Sequence, residues 1–532
     1  MAADNSKAGP TPAGRALGNA LWNIVPFFWV FLLGLVVIPV VISHIGVEHY
    51  GLYGLFAVLL TPLGLANLGF GEATIKYVAE CVHNGDLELA ARYVRTTLWM
   101  NFVVGIVGAS IFWLFASWVI LRFFHIREVD AELVRHCCVL VGFGWVFNQV
   151  AAVFMGIPVA FQNFRPMALI QVLVATITST LSILFVVIGL GLWGYTLANV
   201  FGSFCAMTCW YLGGRRFFGK IPLMPKLYWQ IWKQSFHFGG WQMLAQLGSL
   251  LANQAEKFLL GLFLNPASLG LFNLALSFEQ KAYLVVFKLS EVLFPMFSAL
   301  SSEKPVEKAD RLMRVSWLLT TLAVSVLIPL VPLAKPLLSL WINVAVAREA
   351  APILQLLVVA GTLGSATNAV YFFLLGNGRT GAIALLAFLS GFTTVVAAAI
   401  LLPVFGLRAA AIPDIAAMLV QQIVLGCYLL RQTFGQVLPI WRILTSLYLP
   451  IMVGLTLCMG VAWIGVVQGV DTWVWLVVGY ILLAVLSGGC ILIADAMWPD
   501  RRRHLDDIGR LASWGRVRFA AFSRIRVFSC VE

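Results

Sequence analysis

Two consecutive apolar segments of this 532-residue chain carry charged side chains. An unpaired charge near the centre of a bilayer costs about 2.5 to 3.5 kcal/mol, so such residues are candidates for function. The first segment contains Glu256 and Lys257, and the second contains Lys281, Lys288 and Glu291. A lysine ammonium binds anionic groups, whereas a carboxyl group can take up a proton or a cation. The pattern predicts an anion-binding site whose carboxyl groups either couple to proton or sodium binding or form ion pairs.

Uncharged polar residues accompany these charges at helical spacing. With about 100° per residue, the polar side chains of each segment fall within an arc of roughly 100°. On the first helix they are Gln242, Gln246, Ser249, Asn253, Glu256 and Lys257, and on the second they are Asn273, Ser277, Gln280, Lys281, Lys288 and Glu291. Two such stripes predict the wall of a water-filled cavity with lysines at three successive depths.

Some of these charged residues have a structural role as their alternative interpretation. Lys257 and Lys288 either line the cavity or snorkel to the interfaces and pair with Glu256 and Glu291. Lys281 is too deep in its segment to snorkel easily, which makes it the strongest candidate for a functional cation.

Three further residues are weaker candidates. Asp414 is either a proton-sensitive group or the bonded partner of a broken helical turn. Asn23 either lines the same cavity or links helices. Glu72 is either a coupling residue or an ordinary residue at the membrane interface.

The amino-acid composition indicates which class of protein contains these residues. Hydrophobic residues make up 61% of the chain and charged residues 11%, against about 25% charged residues in soluble domains. This excludes a soluble enzyme, a disulfide-rich secreted scaffold and a disordered chain. The nine cysteines show no paired CxxC spacing, so we expect neither a metal site nor a disulfide framework.

Runs of about 20 apolar residues, long enough to cross roughly 30 Å of hydrocarbon, follow one another along the chain. They predict an all-α, polytopic membrane protein with about 14 transmembrane helices, because long apolar runs favour helices over a barrel. The predicted domains are a cytoplasmic lead (1–20), an N-lobe of helices 1 to 6 (21–212), a cytoplasmic linker (213–238), a C-lobe of helices 7 to 12 (239–430), helices 13 and 14 (431–494) and a basic cytoplasmic tail (495–532).

The two lobes are weakly similar to each other at a nearly constant offset. Arg165 corresponds to Arg379, Gly51 to Gly270 and Gly191 to Gly406, at offsets of 214, 219 and 215 residues. These pairs predict an internal repeat of six helices. An even number of helices per repeat keeps both lobes in the same orientation, so the repeat axis is expected along the membrane normal.

The distribution of basic residues predicts the orientation. With the N-terminus inside, 26 of the 35 lysines and arginines fall on the cytoplasmic side, which places both termini in the cytoplasm. The net charge of +12 therefore requires no nucleic acid partner. The tail beyond Pro499 interleaves eight arginines with aromatic residues, which suits either a helix lying on anionic membrane lipids or a purely topogenic stop.

Residues Ile45–Glu80 resemble the second-helix signature of the polysaccharide transport family. Members of this family are Wzx-type flippases of lipid-linked oligosaccharides. The family belongs to the multidrug/oligosaccharidyl-lipid/polysaccharide exporter superfamily. Residues Gln254–Gly261 and Ala267–Leu274 are similar to the family's acidic-basic-aliphatic run and the hairpin that follows it. This chain departs from the family pattern at Asn67, where many members have an acid, and at Glu256, where Asp is commoner.

The resemblance implies two six-helix lobes around a central, often cationic cavity that opens alternately to each side. We therefore expect a flippase of polyprenyl-pyrophosphate-linked oligosaccharide in the bacterial cytoplasmic (inner) membrane, serving export of O-antigen (lipopolysaccharide), capsule or exopolysaccharide. No catalytic residue, metal or cofactor is expected beyond the coupling ion. The expected partners are the polyprenyl-linked glycan, membrane lipids and polysaccharide assembly proteins.

Two other functions remain as alternatives. An ion-coupled multidrug exporter is disfavoured because interior lysines repel cationic drugs. An integral-membrane glycan polymerase or ligase is disfavoured because the longest outer loop spans only about 15 residues and because GxSxG and HExxH motifs are absent from the sequence.

Overall fold

The computed structural model describes residues 12–67, 70–124, 126, 130–291, 305–377, 379–435, 438, 440–463 and 470–496. The basic tail beyond residue 496 lies outside this part of the chain. The described residues form helices joined by turns and, between α-helices 6 and 7, by a longer non-helical segment at 216–228.

Six α-helices make up the first part of the chain. The first of them has a non-helical residue at Gly46 (φ 79°, ψ 163°), where it bends, and a 3₁₀ helix at Thr61–Asn67 follows it. The helices are α1 (Pro12–Leu60), α2 (Phe70–His83), α3 (Leu87–Phe123), α4 (Ala131–Ala160), α5 (Phe164–Val187) and α6 (Gly191–Arg215).

The second part of the chain contains more interrupted helices. A 3₁₀ turn occupies Gly406–Ala409, and a π-helical stretch occupies Ile423–Leu429. The α-helices are α7 (Trp229–Phe263), α8 (Pro266–Glu291), α9 (Pro305–Leu327), α10 (Leu330–Trp341), α11 (Val344–Ala366), α12 (Asn368–Gly376), α13 (Thr380–Phe405), α14 (Ile412–Gln422), α15 (Leu430–Phe434), α16 (Ile440–Leu447), α17 (Leu449–Trp463) and α18 (Trp473–Ala496).

This architecture confirms the prediction of an all-α, polytopic membrane protein. Within the described residues, nine helices are long and apolar enough to cross a membrane, or ten if α16 and α17, which meet at 43°, form one span. Large apolar side chains such as Leu114, Val404 and Val485 are about 70% exposed, as expected of a surface that faces lipid. The number of fourteen spans stays a prediction.

The chain packs into two compact units. The first comprises the described residues within 1–277, 341–353 and 387–417, and the second those within 278–340, 354–386 and 418–532. In the first unit, α4 packs against α3 and α6, and α5 packs against α1 and α6. In the second unit, α9 packs against α12, α16, α17 and α18 around the fully buried Trp317. The predicted division into two repeat-related lobes stays a prediction.

Helices α1 and α8 approach each other at backbone distance inside the first unit. A Cβ atom added at Gly51 would overlap the carbonyl oxygen of Pro266, and one added at Gly270 would overlap that of Val47. Gly51 and Gly270 are one of the residue pairs that define the predicted repeat. Only glycine at both positions allows this contact, because any side chain would push the two backbones apart.

Candidate functional site

Two carboxyl groups meet in the first unit. Glu256 lies near the end of α7 and is 4% exposed, whereas Asp414 lies in the first turn of α14 and is half-buried. Their carboxyl groups lie close enough to interact with each other. Lys257 is half-buried and is attracted to both acids. The fold thus brings together three of the residues that the sequence analysis selects.

The contact between Glu256 and Asp414 has a chemical consequence. An ionised carboxylate only accepts hydrogen bonds, so a hydrogen bond between two carboxyl groups requires a proton on one of them. Two ionised carboxylates at this distance repel each other, and Lys257 supplies one compensating charge. The Oε1 atom of Glu256 is buried and has no hydrogen-bond partner within the described part of the chain. The carboxyl–lysine cluster of Glu256, Lys257 and Asp414 therefore combines two acidic groups and one basic group in a largely buried environment.

Lys281 occupies a different environment on α8, in the second unit. Its side chain is half-buried, and among the described residues it has neither a hydrogen-bond acceptor nor a carboxylate partner. One turn earlier, Ser277 Oγ donates to the Leu274 carbonyl oxygen at 2.9 Å within the helix itself. Gln280 is exposed. The ammonium group of Lys281 is therefore available to an anion that is not part of the described chain.

A buried polar network lies in the same unit. Glu279 is 7% exposed and packs so closely against Gly361 of α11 that an added Cβ atom would overlap its Oε1 atom. One turn later, Tyr283 Oη donates to Asn368 Oδ1 at 3.0 Å, and Asn368 Nδ2 donates to Ser290 Oγ at 3.5 Å. The signal in the sequence is the i, i+4 spacing of Glu279 and Tyr283, which places both on one helix face.

A cavity of about 190 Å³ in the first unit was not predicted from the sequence, and its mainly apolar lining includes several hydrogen-bonding groups. Asn148 Nδ2 donates to Ser203 Oγ at 3.1 Å at its wall, and Trp145 Nε1 is buried without an acceptor among the described residues. Hydroxyl, amide and indole groups of this kind bind hydroxyl-rich ligands by hydrogen bonding. The lining residues are Tyr53, Phe56, Ala57, Leu60, Val141, Gly144, Trp145, Asn148, Thr196, Asn199, Val200 and Ser203.

For most of the remaining predicted site residues, the structure describes the helix but not the side chain. Lys288 is exposed in the last turn of α8. Five residues lie in helices α1, α2, α7 and α8, but their side chains lie outside the described ones: Asn23, Glu72, Gln246, Asn253 and Glu291. The predicted polar stripe on α7 therefore stays a prediction beyond Glu256 and Lys257.

The described part of the chain contains no cluster of three or more His, Cys, Asp or Glu side chains that could hold a metal ion. The cysteines described there are free thiols.

Comparison with known families identifies a match over more than half of the chain. The model of a family described as polysaccharide biosynthesis protein matches residues 45–342. No curated protein sequence matches.

Solved structures share the fold. The lipid II flippase MurJ in an inward closed conformation aligns with a TM-score of 0.68 at 14% identity, over 88% of this chain and 97% of that one. An inward-facing multidrug resistance transporter of the MATE family, from the MOP superfamily, aligns with a TM-score of 0.63 at 16% identity, over 79% and 95% of the two chains. An outward-facing MATE transporter aligns with a TM-score of 0.57 at 16% identity, over 82% and 100%. The chain therefore shares its fold with these three proteins.

Proposed function

This chain belongs to the polysaccharide biosynthesis protein family, and from that membership we propose that it is a flippase of polyprenyl-pyrophosphate-linked oligosaccharide. The cargo would pass from the cytoplasmic to the outer leaflet of a bacterial inner membrane, for polysaccharide export. No chemical bond of the cargo needs to change in this process, so the proposal assigns no catalytic residue.

The observation that carries the proposal is the environment of Lys281. A half-buried cation in an apolar helix, without a partner in the described chain, is stabilised when an anion binds to it. Pyrophosphate is such an anion, and it is the group of the proposed cargo that is hardest to move through hydrocarbon. A cationic drug would be repelled by the same ammonium group. The lysine thus favours an anionic lipid-linked glycan over the substrates of a multidrug exporter.

The carboxyl–lysine cluster of Glu256, Lys257 and Asp414 is the proposed coupling element. With one proton shared, the two carboxyl groups hold α7 and α14 together. Loss of that proton replaces the hydrogen bond by repulsion, and a sodium ion in its place restores attraction. Proton or sodium binding thereby changes the packing of α14 on α7, as alternating access requires.

The cavity around Asn148 and Ser203 is the proposed contact for glycan hydroxyl groups. Its aromatic side chains, Tyr53 and Trp145, offer apolar faces to a sugar ring beside the hydrogen-bonding groups. Membrane lipids and polysaccharide assembly proteins complete the proposed set of partners.

Substitution of Lys281 tests the proposal. We expect Lys281→Gln to lower glycan display at the cell surface about tenfold. A tenfold change corresponds to the free energy of one charge-assisted contact. Lys281→Arg keeps the charge and should retain substantial transport. The measurement is surface display in a strain that lacks its own flippase, normalised to the amount of protein in the membrane.

Lys335→Gln is the matched control, because Lys335 is an exposed lysine of α10. It should display glycan at the wild-type level. Full display with Lys281→Gln at equal abundance would contradict the proposal. Low abundance of both Lys281 variants would instead assign the residue a structural role.

A further inference from the structure

Arg165 in the first turn of α5 and Arg216, which directly follows α6, line a surface cavity of about 510 Å³ in the first unit. Its lining combines two arginines with apolar side chains: Asn163, Arg165, Pro166, Leu169, Ile170, Gly213, Arg216 and Phe217. An added Cβ atom at Gly213 would lie 2.6 Å from Ile170 Cδ1, so the two helices close together beneath the cavity. The distribution of basic residues places these helix ends on the cytoplasmic side.

Among the described residues, no acidic side chain neutralises either arginine of this cavity. Within the described part of the chain, no carboxylate pairs with Arg165 or Arg216, and both side chains are exposed. The sequence contains no Asp or Glu between Glu132 and Glu256. The Arg165 guanidinium lies 5.7 Å from the ring centre of Trp22, a contact that orients the group without neutralising it.

The repeat counterpart of Arg165 shows a different arrangement. Arg379 donates from Nη1 to Thr433 Oγ1 at 3.0 Å and so connects two segments of its own unit. Arg165 makes no such hydrogen bond among the described residues. Within the described part of the chain, Arg379 thus has a hydrogen-bond acceptor, whereas the hydrogen-bond donors of Arg165 remain available to another group.

The apolar wall of the cavity continues along α5. Leu169 is 53% exposed at the cavity, and Leu173, one turn further along the helix, is 50% exposed. A ligand that fits must therefore combine an anionic head at the arginines with an apolar part lying along α5.

We propose that this cavity binds the headgroup of an anionic phospholipid of the cytoplasmic leaflet. Arg165 and Arg216 would donate hydrogen bonds to the phosphate oxygens, and an acyl chain would lie on Leu169 and Leu173. Binding requires no transport activity, so the proposal is independent of the proposed function. The site would hold a resident lipid between α5 and α6.

The adjacent residue Arg215 provides a matched control. It has the same charge and is also exposed, but its Nη1 atom donates to Tyr211 Oη at 3.4 Å and it does not line the cavity. Arg215→Gln and Arg216→Gln therefore change the net charge equally, one position apart. Arg165→Gln is a second variant of the cavity itself.

The experiment measures retention of phosphatidylglycerol by the full-length protein, using native mass spectrometry after purification from vesicles of phosphatidylglycerol and phosphatidylcholine. We expect Arg216→Gln and Arg165→Gln each to lower retention about tenfold, and Arg215→Gln to leave it unchanged. Melting temperatures in pure phosphatidylcholine should be equal for all variants, which shows that they are folded. If only one cavity variant is folded, its comparison with Arg215→Gln decides the result.

Three results would overturn the proposal. Equal losses for Arg215→Gln and Arg216→Gln would assign the effect to a diffuse surface charge. Wild-type retention of phosphatidylglycerol in both Arg165→Gln and Arg216→Gln would show that the cavity does not bind this lipid. Displacement of the lipid by millimolar inorganic phosphate would identify the ligand as a free phosphate instead of a phospholipid.

Discussion

Glu256 and Asp414 come from helices that are distant in sequence, and each carboxyl group alters the electrostatic environment of the other. Residues in one hydrogen-bonded network do not act independently, so their substitutions should not add. This non-additivity would distinguish the carboxyl–lysine cluster from acidic residues of apolar helices that do not contact one another.

Amide substitutions separate the structural and coupling roles of this contact. Asp414→Asn should leave the folded protein about as stable as wild type, because its amide can donate to the Glu256 carboxylate without a shared proton. Its transport should no longer respond to a proton or sodium gradient. Vesicles with imposed gradients measure the response, and detergent melting curves measure stability. A wild-type response to the gradient in Asp414→Asn would exclude the pair from coupling.

A different carboxylate, that of Asp310, forms ion pairs in the second unit. Asp310 of α9 accepts from Arg314 in its own helix at 2.9 Å and from Arg442 of α16. It therefore joins two helices of the second unit through charge-assisted hydrogen bonds.

Removal of this charge should weaken the second unit. Asp310→Asn leaves two arginines without their shared carboxylate, and we expect a loss of about 1.5 to 3 kcal/mol in the free energy of unfolding. Glu88→Gln is the control, because Glu88 is 74% exposed and lies 3.6 Å from Arg92, a pair worth about 0 to 1 kcal/mol. Denaturant unfolding in detergent measures both. Equal effects of the two substitutions would contradict a bridging role for Asp310.

At the scale of elements, the packing of α1 on α8 depends on the absence of side chains. Apolar helices in a membrane gain little from hydrophobic burial, so close van der Waals contact between small residues drives their association. Gly51 and Gly270 provide that contact in the first unit.

Alanine at either glycine should disrupt the contact. Overpacking in a core typically costs about 1 to 3 kcal/mol, and we expect at least this loss here because the overlapping atoms belong to rigid backbone. Gly460→Ala in α17 is the control, since an added Cβ atom there meets nothing within 4 Å. The measurement is the melting temperature of purified protein. A Gly51→Ala variant as stable as Gly460→Ala would show that α1 and α8 are not in this contact.

At the scale of the whole molecule, the family match confirms the resemblance to the polysaccharide transport family. Structural likeness to lipid II flippase MurJ and to MATE transporters agrees with it at the level of the fold. The predicted orientation of the chain in the membrane follows from the charge distribution and is open to direct measurement.

Single cysteines introduced on either side of α9 and α10 test the orientation. In a variant without the nine native cysteines, Val344→Cys should react with a membrane-impermeant maleimide in intact cells, because Val344 is 70% exposed and is predicted to lie outside. Glu307→Cys, in the basic segment predicted to lie inside, should react only after permeabilisation. Reaction of Glu307→Cys in intact cells would reverse the predicted topology.

The sequence by itself determined the class of fold and the family. Each apolar run had to become a helix, since a backbone in lipid must satisfy its own hydrogen bonds. It also identified Glu256, Lys257, Lys281 and Asp414 as candidates, because a charge is conspicuous in an apolar segment. These conclusions depend on composition and local order, which a single sequence records.

Only the tertiary structure decided which of these groups meet. The pairing of Glu256 with Asp414, the bridge made by Asp310 and the fit of Glu279 against Gly361 all join distant segments. In a soluble protein an apolar stripe reveals the face that packs, but in a membrane the lipid-facing and protein-facing residues are equally apolar. Hydrophobic periodicity therefore carries no information about helix neighbours here, and the contacts that assemble the site depend on packing in three dimensions.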